Sequence, residues 1–122
     1  MDAYKVFFYE KEDGTQPVKD FLLAIDSKMR AKVVWTIKLL ENNGVELREP
    51  YSKHLRNGIY ELRTKRGSDI TRVLYFFVIG KKIILTNGFI KKTQKTPTKE
   101  IERALTYRAD YLKRMDKEND KL

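Results

Sequence analysis

The chain has 122 residues, of which 41% are hydrophobic and 35% charged, which is enough apolar material for one compact domain with a modest core. It contains no cysteine, which excludes disulfides, a thiol nucleophile and cysteine-bound metal, and which is typical of a reducing compartment. No stretch is apolar for long enough to be a signal-peptide core or a membrane span. We therefore expect a cytoplasmic protein with one domain over residues 1–115, followed by a polar, frayed tail over 116–122.

The net charge of +9 is concentrated in the middle of the chain. Residues 48–95 contain 12 Lys and Arg residues but three Asp and Glu residues, whereas the segments on either side are close to neutral. Like charges at this density oppose folding, and a bound polyanion would neutralise them. The distribution therefore favours nucleic-acid binding over a basic surface that only aids solubility.

The first 44 residues have the pattern of a strand followed by two helices. The aromatic and β-branched run 4–9 precedes turn-forming residues and predicts a strand. Pro17 suits the first turn of a helix, and apolar residues at helical spacing continue it to about Asp26. Ser27 is a candidate cap for a second helix that ends at Gly44 and has one apolar stripe: Met29, Val33, Ile37 and Leu40.

The remainder predicts a β-meander and a final helix. Residues 45–57 lack periodicity and predict a polar surface loop, whereas the runs 59–64, 70–79 and 83–90 predict three antiparallel strands. Thr96 and Pro97, or Thr98, open a helix with an apolar stripe of Ile101, Leu105, Ala109 and Leu112. The order β-α-α-β-β-β-α predicts an α+β domain whose twisted sheet has helices on one face and a basic surface on the other.

The residues available for chemistry are mainly cations on the predicted strands. The sequence has no Walker loop, dinucleotide fingerprint, HExxH motif or nucleophile elbow, and its one histidine cannot form a multi-histidine metal site, so we expect no metal and no cofactor. RNA carries its own nucleophile, the 2′-hydroxyl, so groups that orient it and stabilise charge on phosphorus suffice for much of the cleavage reaction. Arginine suits this task because its planar fork donates two hydrogen bonds to a phosphate and stays charged.

Three segments carry a resemblance to a known family. GIYELR begins at Gly58, TRVLYFF at Thr71 and NGFIKKTQKTP at Asn87, and the last is followed by the predicted amphipathic helix. In this arrangement the chain resembles the HigB-like, phage-derived branch of the RelE/ParE toxin superfamily. The resemblance implies a RelE-like fold, ribosome-dependent cleavage of mRNA in the 30S A site, and neutralisation by a HigA-like helix-turn-helix antitoxin. It also implies that the toxin–antitoxin complex binds operator DNA through the antitoxin.

The resemblance implies catalytic roles for several cations. Arg63 matches a basic position that faces the RNA, Arg72 matches the arginine that stabilises the scissile phosphate, and Lys91 and Lys92 fall where the family has a basic residue after its last strand. Glu61 stands where well-studied relatives have a lysine, and the tyrosine that those relatives carry near the start of the final helix has no match here. The general base and acid therefore stay open.

Each candidate also has a structural explanation. Arg72 could form an ion pair, Arg63 could be a solvated strand residue, and the lysines after the last strand could discourage edge pairing. Histidine is a common general acid or base in enzymes, so His54 is a candidate for that role, but its place on a connector favours a spectator role. Glu61 could accept the 2′-hydroxyl proton, although holding the arginines in place is the favoured role.

The remaining predictions concern RNA contact and packing. Five further cations are candidate RNA-binding residues: Lys53, Arg56, Lys65, Arg66 and Lys95. By alternation Tyr60 and Tyr75 face the core, Trp35 is a core residue or an antitoxin contact, and Tyr107 and Tyr111 favour helix packing over base stacking. A gyrase poison of the ParE kind, a binding module without catalysis and an inactive prophage remnant are the alternatives.

Overall fold

The fold, seen in a computed structural model that describes residues 3–90 and 95–120, with side chains to 118, is α+β. A short N-terminal strand and two helices precede a β-meander, and the C-terminal helix packs on the sheet, as predicted. In the described part of the chain, no helix combines the length and the apolar character needed to cross a membrane. The strands are β1 (Lys5–Phe8), β2 (Ser52–Arg56), β3 (Ile59–Arg66), β4 (Asp69–Val78) and β5 (Lys82–Ile90), and the helices are α1 (Pro17–Ala24), α2 (Ser27–Asn43) and α3 (Thr98–Asp120).

The five strands form one mixed sheet in the order β1-β5-β4-β3-β2. The strands from β2 to β5 pair antiparallel, and β1 runs parallel to β5 at the other edge. The prediction of a loop over 45–57 is wrong for residues 52–56, because β2 pairs with β3 there and places Lys53 opposite Glu61. This edge strand is largely exposed and short, so its residues carry little of the apolar alternation that identifies a strand in sequence.

Helices cover both faces of the sheet, so the prediction that they share one face is wrong. The helices α1 and α2 bury one face in a core that includes Val33, Leu40 and Leu62, while α3 buries part of the other face around Leu74 and Ala104. The reason lies in β4, which is apolar on both faces over much of its length. A strand buried on both faces needs a covering layer on each.

The buried stripe of α3 also differs from the predicted one. Ala109 is exposed and Leu112 is 43% exposed, whereas Ala104 is fully buried. Tyr107 stacks on the ring of Tyr9 at 4.7 Å between centroids, and Tyr111 packs edge-on against Phe76. The predicted packing role of these two tyrosines is therefore confirmed, and the helix is rotated so that aromatic side chains fill the contact in place of Ala109. The helix continues to Asp120 and so includes most of the segment 116–122, for which the sequence predicts a frayed tail.

Local features set the positions of the helices. The cap of α2 is Asp26 rather than the predicted Ser27: its carboxylate accepts hydrogen bonds from the backbone of Lys28 and Met29 at 3.1 and 3.2 Å. A β-bulge at Thr86 then turns Asn87 toward α3, where its Nδ2 donates to the backbone oxygen of Glu100 at 3.2 Å. The bulge thereby fixes the first turn of α3 against the sheet.

Candidate functional site

A cleft of about 310 Å³ opens between the β2–β3–β4 part of the sheet and the first turn of α3. It lies on the face of the sheet that α3 covers, next to the N-terminal end of that helix. Most of the predicted cations that the structure describes meet here. The lining residues are Lys53, His54, Leu55, Arg56, Arg63, Arg72, Lys95, Thr96, Thr98 and Ile101.

Arg63 and Arg72 lie directly opposite each other on adjacent antiparallel strands. Side chains of paired residues point to the same face, and Glu61, two residues earlier on β3, shares that face. The Nε of Arg63 donates to Oε1 of Glu61 at 3.0 Å, and Nη1 of Arg72 donates to the same oxygen. The second carboxylate oxygen of Glu61 accepts a hydrogen bond from the hydroxyl of Thr96. One carboxylate thus joins two strands to the segment that leads into α3.

The two arginines differ in their access to solvent. Arg72 is 2% exposed and Glu61 is completely buried, while the side chain of Arg63 retains 24% of its exposure and also pairs with Glu49 at 3.5 Å. Burial lowers the pKa of Arg72, and the positive charge of Arg63 lowers it further, while the charge of Glu61 opposes both effects. Arginine is so basic that Arg72 nevertheless stays protonated at neutral pH.

One nitrogen of the Arg72 guanidinium group lacks a hydrogen bond. Within residues 3–90 and 95–118, its Nε is buried without a hydrogen-bond partner. Such a group is rare in folded proteins because a lost hydrogen bond to water is costly, and a functional site is one of the places where it persists. The first turn of α3 lies at the same cleft and adds the positive end of a helix dipole. The arrangement suits an anion such as a phosphodiester.

His54 lines the cleft, but its imidazole belongs to the opposite face of the sheet. It is the register partner of Tyr60, whose ring lies 4.9 Å away between centroids, and its Nε2 accepts a hydrogen bond from the backbone of Gly58 at 3.3 Å. Glu61, the next residue after Tyr60, points to the arginine side. The structure therefore does not bring the imidazole together with Arg63 and Arg72.

Other predicted cations are dispersed. Lys65 lines a separate groove on the far side of Arg63, and Arg66 lines a third one beside the α1–α2 connection. Lys81 and Lys82, which belong to the basic segment but are not candidate site residues, lie at the turn after β4, at the opposite end of that strand from Arg72. Lys91 and Lys92 lie outside the described residues. The basic middle of the sequence therefore supplies several surfaces rather than one.

Sequence reasoning missed three residues that fix the start of α3 beside the cleft: Thr96, Asn87 and Glu100. Thr96 was assigned only to the start of a helix, and its bond to Glu61 depends on a contact 35 residues away in sequence. The side-chain amide of Asn87 donates hydrogen bonds to Glu100 in the first turn of α3. In the sequence, the dipeptide Asn87-Gly88 gives no indication of that contact. The predicted burial of Tyr75 is confirmed, whereas Trp35 is 52% exposed, so its alternative placement in the core is wrong.

The fold and the cleft are those of an α+β domain consistent with the RelE-like fold, carrying a cationic site at one end of the sheet. The family described as phage-derived protein Gp49-like (DUF891) matches residues 20–109, about three quarters of the chain. The chain belongs to this family, which is part of the RelE/ParE-like toxin superfamily. No curated protein shows significant similarity to the chain.

Proposed function

We propose that the chain is the toxin of a type II toxin–antitoxin system, a HigB-like endoribonuclease that cleaves mRNA on the ribosome and so inhibits translation. The observation that carries this proposal is the placement of Arg63 and Arg72, opposite each other on adjacent strands and aimed into a cleft that a phosphodiester can enter. Membership of a phage-derived family within a toxin superfamily supports the biological role.

The proposed reaction uses the RNA's own 2′-hydroxyl. Its oxygen attacks the adjacent phosphorus, the bond from phosphorus to the 5′-oxygen breaks, and the products are a 2′,3′-cyclic phosphate and a 5′-hydroxyl. The proton lost from the 2′-hydroxyl and the proton gained by the 5′-oxygen balance, so the net reaction consumes no co-reactant. The protein's task is to orient the 2′-oxygen in line and to stabilise the negative charge on the phosphoryl oxygens.

Each charged group at the cleft has a distinct role in this reaction. Arg63, the more accessible guanidinium, contacts the incoming backbone and exchanges its weak surface pair with Glu49 for a phosphate oxygen. Arg72, which also lines the cleft, stabilises the negative charge that develops on the phosphoryl oxygens in the transition state. Glu61 is a positioning residue, because both of its oxygens are engaged by protein groups and it is completely buried. Lys53, Arg56 and Lys95 guide the strand into the cleft.

The proposal extends to the partners of the protein. A HigA-like antitoxin with a helix-turn-helix domain neutralises the toxin in the cytoplasm, and the complex of the two binds operator DNA through the antitoxin. Growth arrest on induced expression, and its relief when the neighbouring antitoxin gene is expressed together with the toxin, is the expected behaviour. A chain that is inert in this assay would contradict the toxin assignment.

The direct test is cleavage of mRNA on ribosomes programmed in a purified translation system, with product ends mapped by primer extension. Arg72→Ala should lower the single-turnover rate by about 100- to 1,000-fold, the loss typical when one donor to a transition-state oxyanion is removed. Arg72→Lys keeps the positive charge but loses the planar guanidinium with its paired N–H donors. If this variant folds but is inactive, the arrangement of those donors is the cause of the loss.

Lys82→Ala is the control, because this lysine begins β5 and pairs with the end of β4 that is opposite to Arg72. The activity of this variant should equal that of the wild type. Intact message in the wild-type reaction would overturn the proposal. Inhibition of gyrase supercoiling without any RNA cleavage would assign the chain to the ParE-like kind instead.

A further inference from the structure

A second groove, of about 460 Å³, adjoins the arginine cleft and shares Arg63 with it. Trp35 on α2 and Tyr51, immediately before β2, form its aromatic wall, with ring centroids 6.0 Å apart at an interplanar angle of 66°. The floor is fixed by a buried hydrogen bond of 3.0 Å from Thr64 to Thr36, which ties β3 to α2. The groove is therefore a formed feature of the fold.

The two rings are unusual because neither belongs to a core. Trp35 is 52% exposed and Tyr51 is 37% exposed, and the buried side of α2 is formed by Met29, Val33 and other residues of its apolar stripe. Exposed large aromatic side chains that lie together in a groove are typical of binding surfaces. The charged residues around the two rings indicate which class of ligand this surface binds.

Three cations line this groove: Lys32, Arg63 and Lys65. The nearby acid is Glu49, which pairs with Arg63 from a side chain that is 62% exposed. Lysine is depleted in the cores of protein–protein interfaces, whereas aromatic rings interleaved with Lys and Arg are the usual composition of single-stranded nucleic-acid sites. Arg63 lines both the groove and the cleft, so an RNA strand that contacts both would pass Arg63 from the α3 side of the sheet to the α2 side, where Thr64 meets Thr36.

On these grounds, and resting on the proposed function, we propose that the groove is a nucleobase subsite. When the scissile phosphate lies at Arg63 and Arg72, the base of a neighbouring nucleotide stacks on the indole of Trp35 and contacts the edge of Tyr51. Lys32 and Lys65 pair with the phosphate of that nucleotide. The substrate is thereby single-stranded RNA gripped at two points, and Arg63 sets the distance between them.

The chain offers a built-in probe, because Trp35 is its single tryptophan. Titration with a short single-stranded RNA, methylated at every 2′-oxygen so that it cannot be cleaved, should change the tryptophan fluorescence of the wild type at saturation. Trp35→Ala should weaken binding, measured by anisotropy of a labelled RNA, by about 5- to 150-fold, the range expected for loss of one base–aromatic stack. Trp35→Phe retains a ring and should lose less.

Val34→Ala is the matched control, since Val34 is the adjacent exposed apolar residue of α2 and does not line the groove. It should bind RNA as the wild type does. Two results would overturn the subsite: unchanged tryptophan fluorescence on saturation with RNA, or equal RNA affinities of Trp35→Ala and the wild type. If the wild type still cleaves mRNA on ribosomes, the proposed function is unaffected by either result. Unchanged RNA affinity of Trp35→Ala with lost binding to a HigA-like antitoxin would assign the ring to a protein partner. A wild type that neither binds nor cleaves RNA would overturn both proposals.

Discussion

Replacing Glu61 by glutamine tests the central charge arrangement of the cleft. The side chain keeps its size and one acceptor oxygen, but it loses the negative charge that lies between two guanidinium groups. Arg72 is 2% exposed, so water cannot hydrate its guanidinium group when the counter-charge is removed. The same substitution presents an amide NH₂ to one of its neighbours, where Arg63, Arg72 and Thr96 are all donors to this side chain in the native arrangement.

The expected loss in the free energy of unfolding follows from the cost of leaving a buried charge unpaired. Breaking a buried ion pair by removing one partner typically costs about 3–5 kcal/mol, and the retained acceptor and the partial exposure of Arg63 place the expected loss near the lower end, at about 3 kcal/mol. Total stabilities of small domains are about 5–15 kcal/mol, so the variant should fold but unfold at a clearly lower urea concentration. Far-UV circular dichroism during urea unfolding measures this difference.

The chain contains a matched comparison for this experiment. Glu49 pairs with the same Arg63, but its side chain is 62% exposed, and exposed pairs contribute about 0–1 kcal/mol. Glu49→Gln should therefore leave the free energy of unfolding almost unchanged. Adding Arg72→Met to Glu61→Gln should recover stability, because the unpaired buried charge is then removed as well. Equal, small losses for the two glutamate variants would refute the assignment of Glu61 as the buried counter-charge.

Two further predictions concern salt and pH. Arg63→Ala should reduce the slope of log affinity for single-stranded RNA against log salt concentration by about 0.7, the value for one lost phosphate contact. Lys82→Ala, at the opposite end of β4 from Arg72, should leave the slope unchanged. Equal slopes for both variants would contradict the location of the RNA path. Burial raises the pKa of Tyr9 and of Tyr75 from 10.0 to about 12, with Asp110 as a further cause at Tyr9. Because the folded chain holds these protons more tightly than the unfolded chain, their contribution to stability is complete below pH 10 and is lost as the pH rises toward 12. Thermal unfolding over this range should show the fall, and a variant with phenylalanine at both positions should show a flatter curve; an equally steep curve would assign the fall to other groups.

The sequence was sufficient for the elements with strong periodicity. The stripe of α2 and the runs of β3, β4 and β5 each bury several apolar residues at a fixed spacing, so pattern and structure agree there. Alternation on β3 also placed Arg63 and Glu61 on one face, opposite Leu62. The pairing of Arg63 with Arg72 then follows from the tight turn between β3 and β4, which fixes the register.

What the sequence did not reveal depends on contacts between distant segments. The strand β2 exists because β3 offers it a free edge, and its five residues carry no apolar pattern of their own. The position of α3 on the second face follows from the need to cover Leu74 and Phe76, which lie on the face for which the sequence predicts a basic surface. The bond from Thr96 to Glu61 and the exposure of Trp35 likewise arise only when the layers are assembled.

These observations connect the fold to the proposed chemistry through one carboxylate. Two arginines on adjacent strands repel each other, and neither would stay aimed at the same point of the cleft without a group that holds both. Glu61 does this from a buried position, while Thr96 fixes the second oxygen and draws the start of α3 to the same place. A lysine at position 61 would instead add a third cation, which would repel both arginines. The buried carboxylate therefore holds both guanidinium groups at one place in the cleft, and in the proposed reaction Arg63 and Arg72 supply the charge stabilisation from there.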